Sequence, residues 1–121
     1  MDAENKATLS QVVEGILLVS SAGNGDTQGV EYPAAYEEVI AVGAVNTSAK
    51  KTEESAVGEE VELVAPGEQI LSDSMLGLET VVSGTSMAAP HVIAVAAVLW
   101  QKDKTKYSNE KINETYKKID C

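Results

Sequence analysis

A serine and a histidine stand close together in "SGTSMAAPHV", residues 83–92. Ser86 follows a Gly-Thr turn and opens an apolar segment. If that segment is helical, Ser86 sits at a helix start, where backbone N–H groups are unpaired and the end carries partial positive charge. Such a place suits a nucleophile whose reaction develops an oxyanion, because donors are already fixed there. Position and composition alone favour a plainer reading at this point: Thr85 or Ser86 caps the helix, a common use of these residues.

A serine nucleophile needs a base in hydrogen-bond reach and a third group to orient that base. His91 is the only histidine in the chain. Five helical residues would place it about 140° around the axis and about 7.5 Å along it from Ser86. That is the wrong face and too far. The chain therefore offers a candidate nucleophile with nothing to deprotonate it.

The elements that would carry these residues can be read from local pattern. Residues 3–14 lack Gly and Pro, and Leu9, Val12 and Val13 form one apolar stripe, so a helix ending at Gly15 is predicted. "ILLVSS" (16–21) and "VIAVGAV" (39–45) read as strands buried on both faces. "AGNGDTQG" (22–29) is turn-rich. "EYPAAYEE" (31–38) is irregular, and 46–60 reads as a surface loop with little structure. "VELVAPG" (61–67) and "ETVVSG" (79–84) are further strands. The segment 86–102 is apolar nearly all round and reads as a buried helix. Residues 108–118 read as a solvent-facing helix capped by Ser108. Short strands alternating with helices imply an α/β fold with a parallel, helix-covered sheet.

The chain has 121 residues and is 44% hydrophobic, enough for one domain core. It contains no phenylalanine and one tryptophan, so that core is aliphatic. A net charge of −10 argues against nucleic-acid backbones and anionic membrane surfaces. The longest apolar run, "VIAVAAVLW", is too short to span a bilayer. The single cysteine, Cys121, permits no intrachain disulfide. The polar N-terminus is unlike a secretory leader, which favours a cytoplasmic over a secreted location.

The whole string "GTSMAAPHV" resembles the serine-nucleophile signature of the subtilisin family of serine peptidases, matching every fixed position. "SSAGN" (20–24) resembles the family's oxyanion-hole strand end. "YPAAYEEVIAVGAV" (32–45) and "VELVAPGEQILS" (61–72) follow in the family's order. The likeness covers roughly residues 10–101 and is nearest in character to the intracellular bacterial subtilisins.

The resemblance implies that residues 1–121 are the C-terminal portion of a subtilisin-like catalytic domain, with part of its parallel sheet absent. It implies a serine endopeptidase with Ser86 as the acylated nucleophile and Asn24 as the amide donor to the oxyanion. The family's catalytic Asp and His come from its N-terminal half, and nothing like those segments occurs here. The isolated chain is therefore expected to be inactive, and to associate with the missing half or with itself. The alternative is a non-catalytic relative that binds peptides.

Further site residues are implied in the same way. Gly23, Gly84 and Thr85 would line the substrate cleft. Glu31, just before Tyr32-Pro33, would lie at the base of the primary specificity pocket and favour Lys or Arg. The peptide bond into Pro33 would be cis. The carbonyls of Ala34, Tyr36 and Val39, with Glu62, match a weak structural site for Na⁺ or Ca²⁺. No cofactor is required for the chemistry, and the expected partner is a peptide or protein substrate. The sequence departs from the family at Glu54, where a buried aromatic is usual. It departs again at Ile93 and Val95, where small residues are usual and bulk should tighten or shift the helix packing.

Overall fold

A computed structural model describes residues 3–13, 15–25 and 29–102. The first element is helix α1 (Ala3–Val13). It stops where the sequence says it should. Gly15 takes φ +83°, and the Ile16 N–H donates to the Gln11 carbonyl at 3.0 Å. That bond is the long closure of a glycine-terminated helix end. Of the expected apolar stripe, Leu9 is half-buried, while the Val12 and Val13 side chains lie outside the described residues.

Three strands form a parallel sheet in the order β1 (Val19–Ser21), β2 (Ile40–Val45), β3 (Val61–Pro66). β2 is central and buried along most of its length. β1 was expected to run from residue 16 and to be buried on both faces. It is shorter and half-buried, and Ile16 is exposed. The reason is its position at the edge of the sheet, where it has one neighbour among the described residues.

Helix α2 (Thr85–Lys102) crosses one face of this sheet. It contributes Ala88, Ala89, Val92 and Ala96 to the core. Small side chains let helix and sheet approach closely. Ile40, Val42 and Ala44 project alternately from β2 to meet them, joined by Leu63 and Ala65 of β3. The rest of α2 is apolar but uncovered. Ile93 and Val95 stay about half exposed and lie outside the buried core, so their bulk is not taken up in the helix–sheet contact.

The segment 46–60 is more ordered than its polar composition suggests. β1 pairs only with residues 40–42 of β2, which leaves the end of β2 without a neighbour on that side. The loop supplies one. The Thr52 N–H donates to the Ala44 carbonyl at 3.0 Å, and the Ala44 N–H donates to Ser55 Oγ at 3.1 Å. The Ala56 N–H then reaches back to the Gly23 carbonyl at 2.8 Å. Glu54, in contrast, is exposed, so a carboxylate is tolerated there without burial.

Residues 79–82 do not join the parallel sheet. They form β5 (Glu79–Val82), paired antiparallel with β4 (Ile70–Asp73) as a separate hairpin. β4 carries no clear alternation in "ILSD" and was not expected. The segment 108–118 and Cys121 lie outside the described residues.

Candidate active site

The site begins where β1 ends. Ser21 is followed by Ala22, Gly23 and Asn24, and Gly23 adopts φ +111°. On the far side of the sequence, Gly84 takes φ +144° immediately before α2. Both values suit glycine alone, and both turn the chain sharply at a strand or helix terminus.

Three hydrogen bonds join these two turns. The Gly23 N–H donates to Thr85 Oγ1 at 3.1 Å. The Thr85 hydroxyl donates onward to Asn24 Oδ1 at 3.0 Å, and the Thr85 N–H donates to the same oxygen at 2.9 Å. A backbone N–H cannot donate to an NH₂ group, so this network fixes which end of the Asn24 amide is oxygen. Oδ1 is committed as a double acceptor. Nδ2 remains as the outward donor, near Gly84: it lies 3.4 Å from where a Cβ on that glycine would stand.

The capping reading of Thr85 therefore fails. Its hydroxyl is engaged by Gly23 and Asn24, and the cap on its own N–H is the distant Asn24. Thr85 is also almost fully buried, with its hydroxyl turned to Gly23 and Asn24. Ser86 lies inside the first turn of α2 and is exposed. Its N–H is among the amides that have no acceptor within the helix. An exposed hydroxyl, a backbone N–H without an intrahelical acceptor and an amide held by Thr85 thus belong to one helix start.

His91 takes no part in this group. It is exposed, and its Nδ1 bonds to the Met87 carbonyl of its own helix at 2.8 Å. That acceptor places the ring proton on Nδ1 and holds the imidazole along the helix.

Glu31 reaches the site from the loop that follows Asn24. Its N–H donates to the Ala22 carbonyl at 3.0 Å. Its side chain lies across Gly23, with Cδ 2.7 Å from the position a Cβ there would take. Glu31 is exposed. The Tyr32–Pro33 bond is cis, and the Tyr32 and Tyr36 rings meet at 4.6 Å.

The candidate cation ligands are set out less compactly. Ala34, Tyr36 and Val39 share the turn that leads into β2, and the Tyr36 carbonyl already accepts the Val39 N–H at 3.1 Å. Glu62 falls in β3 at the irregularity where pairing with β2 slips between Ala41 and Val42. Among the described residues its Oε2 is buried with no hydrogen-bond partner, which is the kind of atom a cation would satisfy. Among the described residues no three His, Cys, Asp or Glu side chains are grouped for a metal, so any ion here would depend on carbonyls and one carboxylate.

Sequence reasoning missed the support for this site. Ser55, Thr52 and Ala56 hold the end of β2 and the Gly23 carbonyl, yet they lie in a stretch that reads as ordinary polar loop. The hydroxyl at 55 between two turn-forming stretches was the only local signal.

The arrangement has counterparts in known proteins. Residues 2–118 match the model of the Subtilase family of peptidases. The chain is 42% identical over 104 residues to a thermostable alkaline protease of Halalkalibacterium halodurans, covering 84% of this chain and 29% of that protein. It is 41% identical over 110 residues to the major intracellular serine protease of Bacillus subtilis, covering 87% and 34%. It is equally close, at 41% over 118 residues, to the minor extracellular protease Epr of the same organism, covering 97% of this chain and 18% of Epr. A crystal structure of a cold adapted subtilisin-like serine proteinase superposes with TM-score 0.88 at 30% identity, over 94% of this chain and 42% of the other. The chain spans about a fifth to under half of the length of these proteins. Among the described residues no helix is long and apolar enough to cross a membrane.

Proposed function

The chain belongs to the subtilase family of serine peptidases, and from that premise we propose that it carries the nucleophile and oxyanion-binding half of a serine endopeptidase. Ser86 Oγ attacks the scissile carbonyl and becomes acylated. The Asn24 amide and the Ser86 N–H donate to the oxygen that gains charge. The single observation that supports this most is the double acceptance at Asn24 Oδ1, which leaves Nδ2 as a pre-aimed donor beside the Ser86-bearing helix start. Donors fixed in advance need no reorganisation when the charge forms.

The base and its orienting carboxylate come from polypeptide outside these residues. Glu31 forms the acidic base of the primary pocket and selects Lys or Arg before the scissile bond. Glu62, with the carbonyls of Ala34, Tyr36 and Val39, holds Na⁺ or Ca²⁺. Such an ion would neutralise the buried Glu62 oxygen and take no part in the chemistry. The compartment follows from none of these residues, since intracellular and extracellular proteases are matched equally well.

A second reading has one observation in its favour. The sole histidine is bonded to its own helix, so these residues alone could serve as a peptide-binding relative without catalysis. Joining the chain to the Asp- and His-bearing part of a subtilase separates the two. Under the first reading the joined protein hydrolyses peptides, Ser86→Ala abolishes turnover, and Asn24→Ala lowers it about 10²–10³-fold. A joined protein that binds peptide but shows no Ser86-dependent turnover supports the second.

A further inference from the structure

The β4–β5 hairpin presents a face that the proposed chemistry does not use. Its register sets Leu71 opposite Val81 and Asp73 opposite Glu79. Side chains alternate along a strand, so these four share one side, while Ile70 and Val82 turn to the other and are half-buried. On the shared side Leu71 and Val81 are 62% and 59% exposed. The tip adds Met75, Leu76 and Leu78, exposed to 101%, 84% and 66%.

This exposure is built in. The tip is closed by the Ser74 N–H to the Leu78 carbonyl at 2.8 Å and the Gly77 N–H to the Ser74 carbonyl at 3.1 Å, with Gly77 at φ +77°. This closure leaves Met75, Leu76 and Leu78 exposed on the turn. Like charges directly opposite each other destabilise a hairpin, and among the described residues neither Asp73 nor Glu79 has a cationic partner. An exposed apolar pair beside an unpaired carboxylate pair fits a ligand that brings both apolar side chains and positive charge.

A second copy of the chain does not fit that description. Packing this face against itself would bring four carboxylates together, in a chain whose net charge is −10. The hairpin is instead continuous with the candidate active site. The Gln69 N–H donates to Ser83 Oγ at 2.9 Å, and the Gly84 N–H donates to the Gly67 carbonyl at 2.7 Å. Both bonds lock the base of the hairpin to the turn before Ser86. Val81 precedes Ser86 by five residues and Glu79 by seven, so they lie within about 18 and 25 Å of it at most. An extended polypeptide covers those spans in about five to seven residues.

We propose that the outward face of the β4–β5 hairpin is a docking surface for an extended stretch of the polypeptide substrate, taking a Lys or Arg flanked by apolar residues within about seven residues of the scissile bond. The proposal rests on the peptidase reading of Ser86 and adds a second acidic contact, remote from Glu31. Asp73 and Glu79 bind the cation together, and Leu71 and Val81 cover the neighbouring apolar side chains.

The test uses the 121-residue chain carrying Ser86→Ala, so that binding is read without turnover. The probe is a fluorescein-labelled peptide of alternating Leu and Lys, with a Leu/Glu peptide and a Ser/Lys peptide as controls, followed by anisotropy. Saturable binding of the Leu/Lys probe is expected, at least about tenfold tighter than either control. The double change Asp73→Asn with Glu79→Gln should weaken it about tenfold and flatten its salt dependence, since exposed charge pairs are screened by salt. Leu71→Ser with Val81→Ser should weaken it similarly. Asp73→Lys with Glu79→Lys should transfer the preference to the Leu/Glu probe, which a misfolded variant could not do. Unchanged affinity in both double variants would overturn the proposal. So would a concentration-dependent dimer that Leu71→Ser with Val81→Ser dissolves while the probe fails to bind, which assigns the face to a second copy. A joined protein that turns over through Ser86 yet ignores the probe removes the docking surface and leaves the peptidase reading standing.

Discussion

The Thr85 hydroxyl donates to Asn24 Oδ1 at 3.0 Å, across 61 residues of sequence. The same hydroxyl accepts the Gly23 N–H at 3.1 Å, so one buried oxygen ties the helix start to the end of β1. Thr85→Val keeps the shape and removes both bonds. It leaves a buried N–H unpaired and should cost about 1–3 kcal/mol. Thr85→Ser keeps the hydroxyl and loses one methyl group, a cost of about 1 kcal/mol. Urea unfolding of the two variants checks the order. A Thr85→Val chain at least as stable as Thr85→Ser would show that the network contributes nothing.

Gly23 meets two constraints at once: φ +111° and the Glu31 side chain lying over its Cα. Gly23→Ala should therefore destabilise by about 1–3 kcal/mol from backbone strain, with a further contribution from the clash. Adding Glu31→Ala should recover the clash but not the strain, giving a non-additive double mutant. Strict additivity in urea midpoints would mean that the two side chains do not meet.

Glu31 also makes a prediction about specificity in a completed domain. Cleavage after Lys or Arg should exceed cleavage after large apolar residues by roughly 10- to 200-fold, about 1–3 kcal/mol. The preference should fall with rising salt if the pocket is open to solvent. A peptide library cleaved by the wild type and by Glu31→Gln measures it. Equal preference in both would remove Glu31 from the pocket.

The main elements that carry this site were legible in the sequence, the bonds that hold it were not, and the difference has physical causes. α2 was legible because an apolar run much longer than a typical strand favours a buried helix, and Gly15 marked the end of α1 by its conformational freedom. Asn24 became a candidate only through resemblance, and Ser86 mainly so, since a Gly-Asn-Gly turn and a helix-opening serine are both ordinary locally. β4 was missed because four residues of weak alternation become a strand only when β5 pairs with them. The role of Thr85 was missed because a bond spanning 61 residues leaves no local pattern.

The uncovered face of α2 bears on association. Ile93 and Trp100 border an apolar groove of about 350 Å³, closed on the other side by Ile16, Leu17 and Val19 beside the free edge of β1. A parallel sheet edge and a helix face of this kind are normally covered. The chain should self-associate or bind a complementing polypeptide, with sedimentation that depends on concentration. A monomeric, cooperative thermal transition independent of concentration would show that the existing layers close a core unaided.

The central claim is that Ser86 is a nucleophile whose base lies outside these residues, and labelling by a fluorophosphonate probe tests it most directly. The chain alone should label no faster than Ser86→Ala. Joined to the Asp- and His-bearing part of a subtilase, it should label rapidly, and mass spectrometry should place one adduct on Ser86. Rapid stoichiometric labelling of Ser86 in the chain alone would contradict the account by showing a base within it. An adduct that persists in the joined Ser86→Ala protein would contradict it by placing the nucleophile elsewhere.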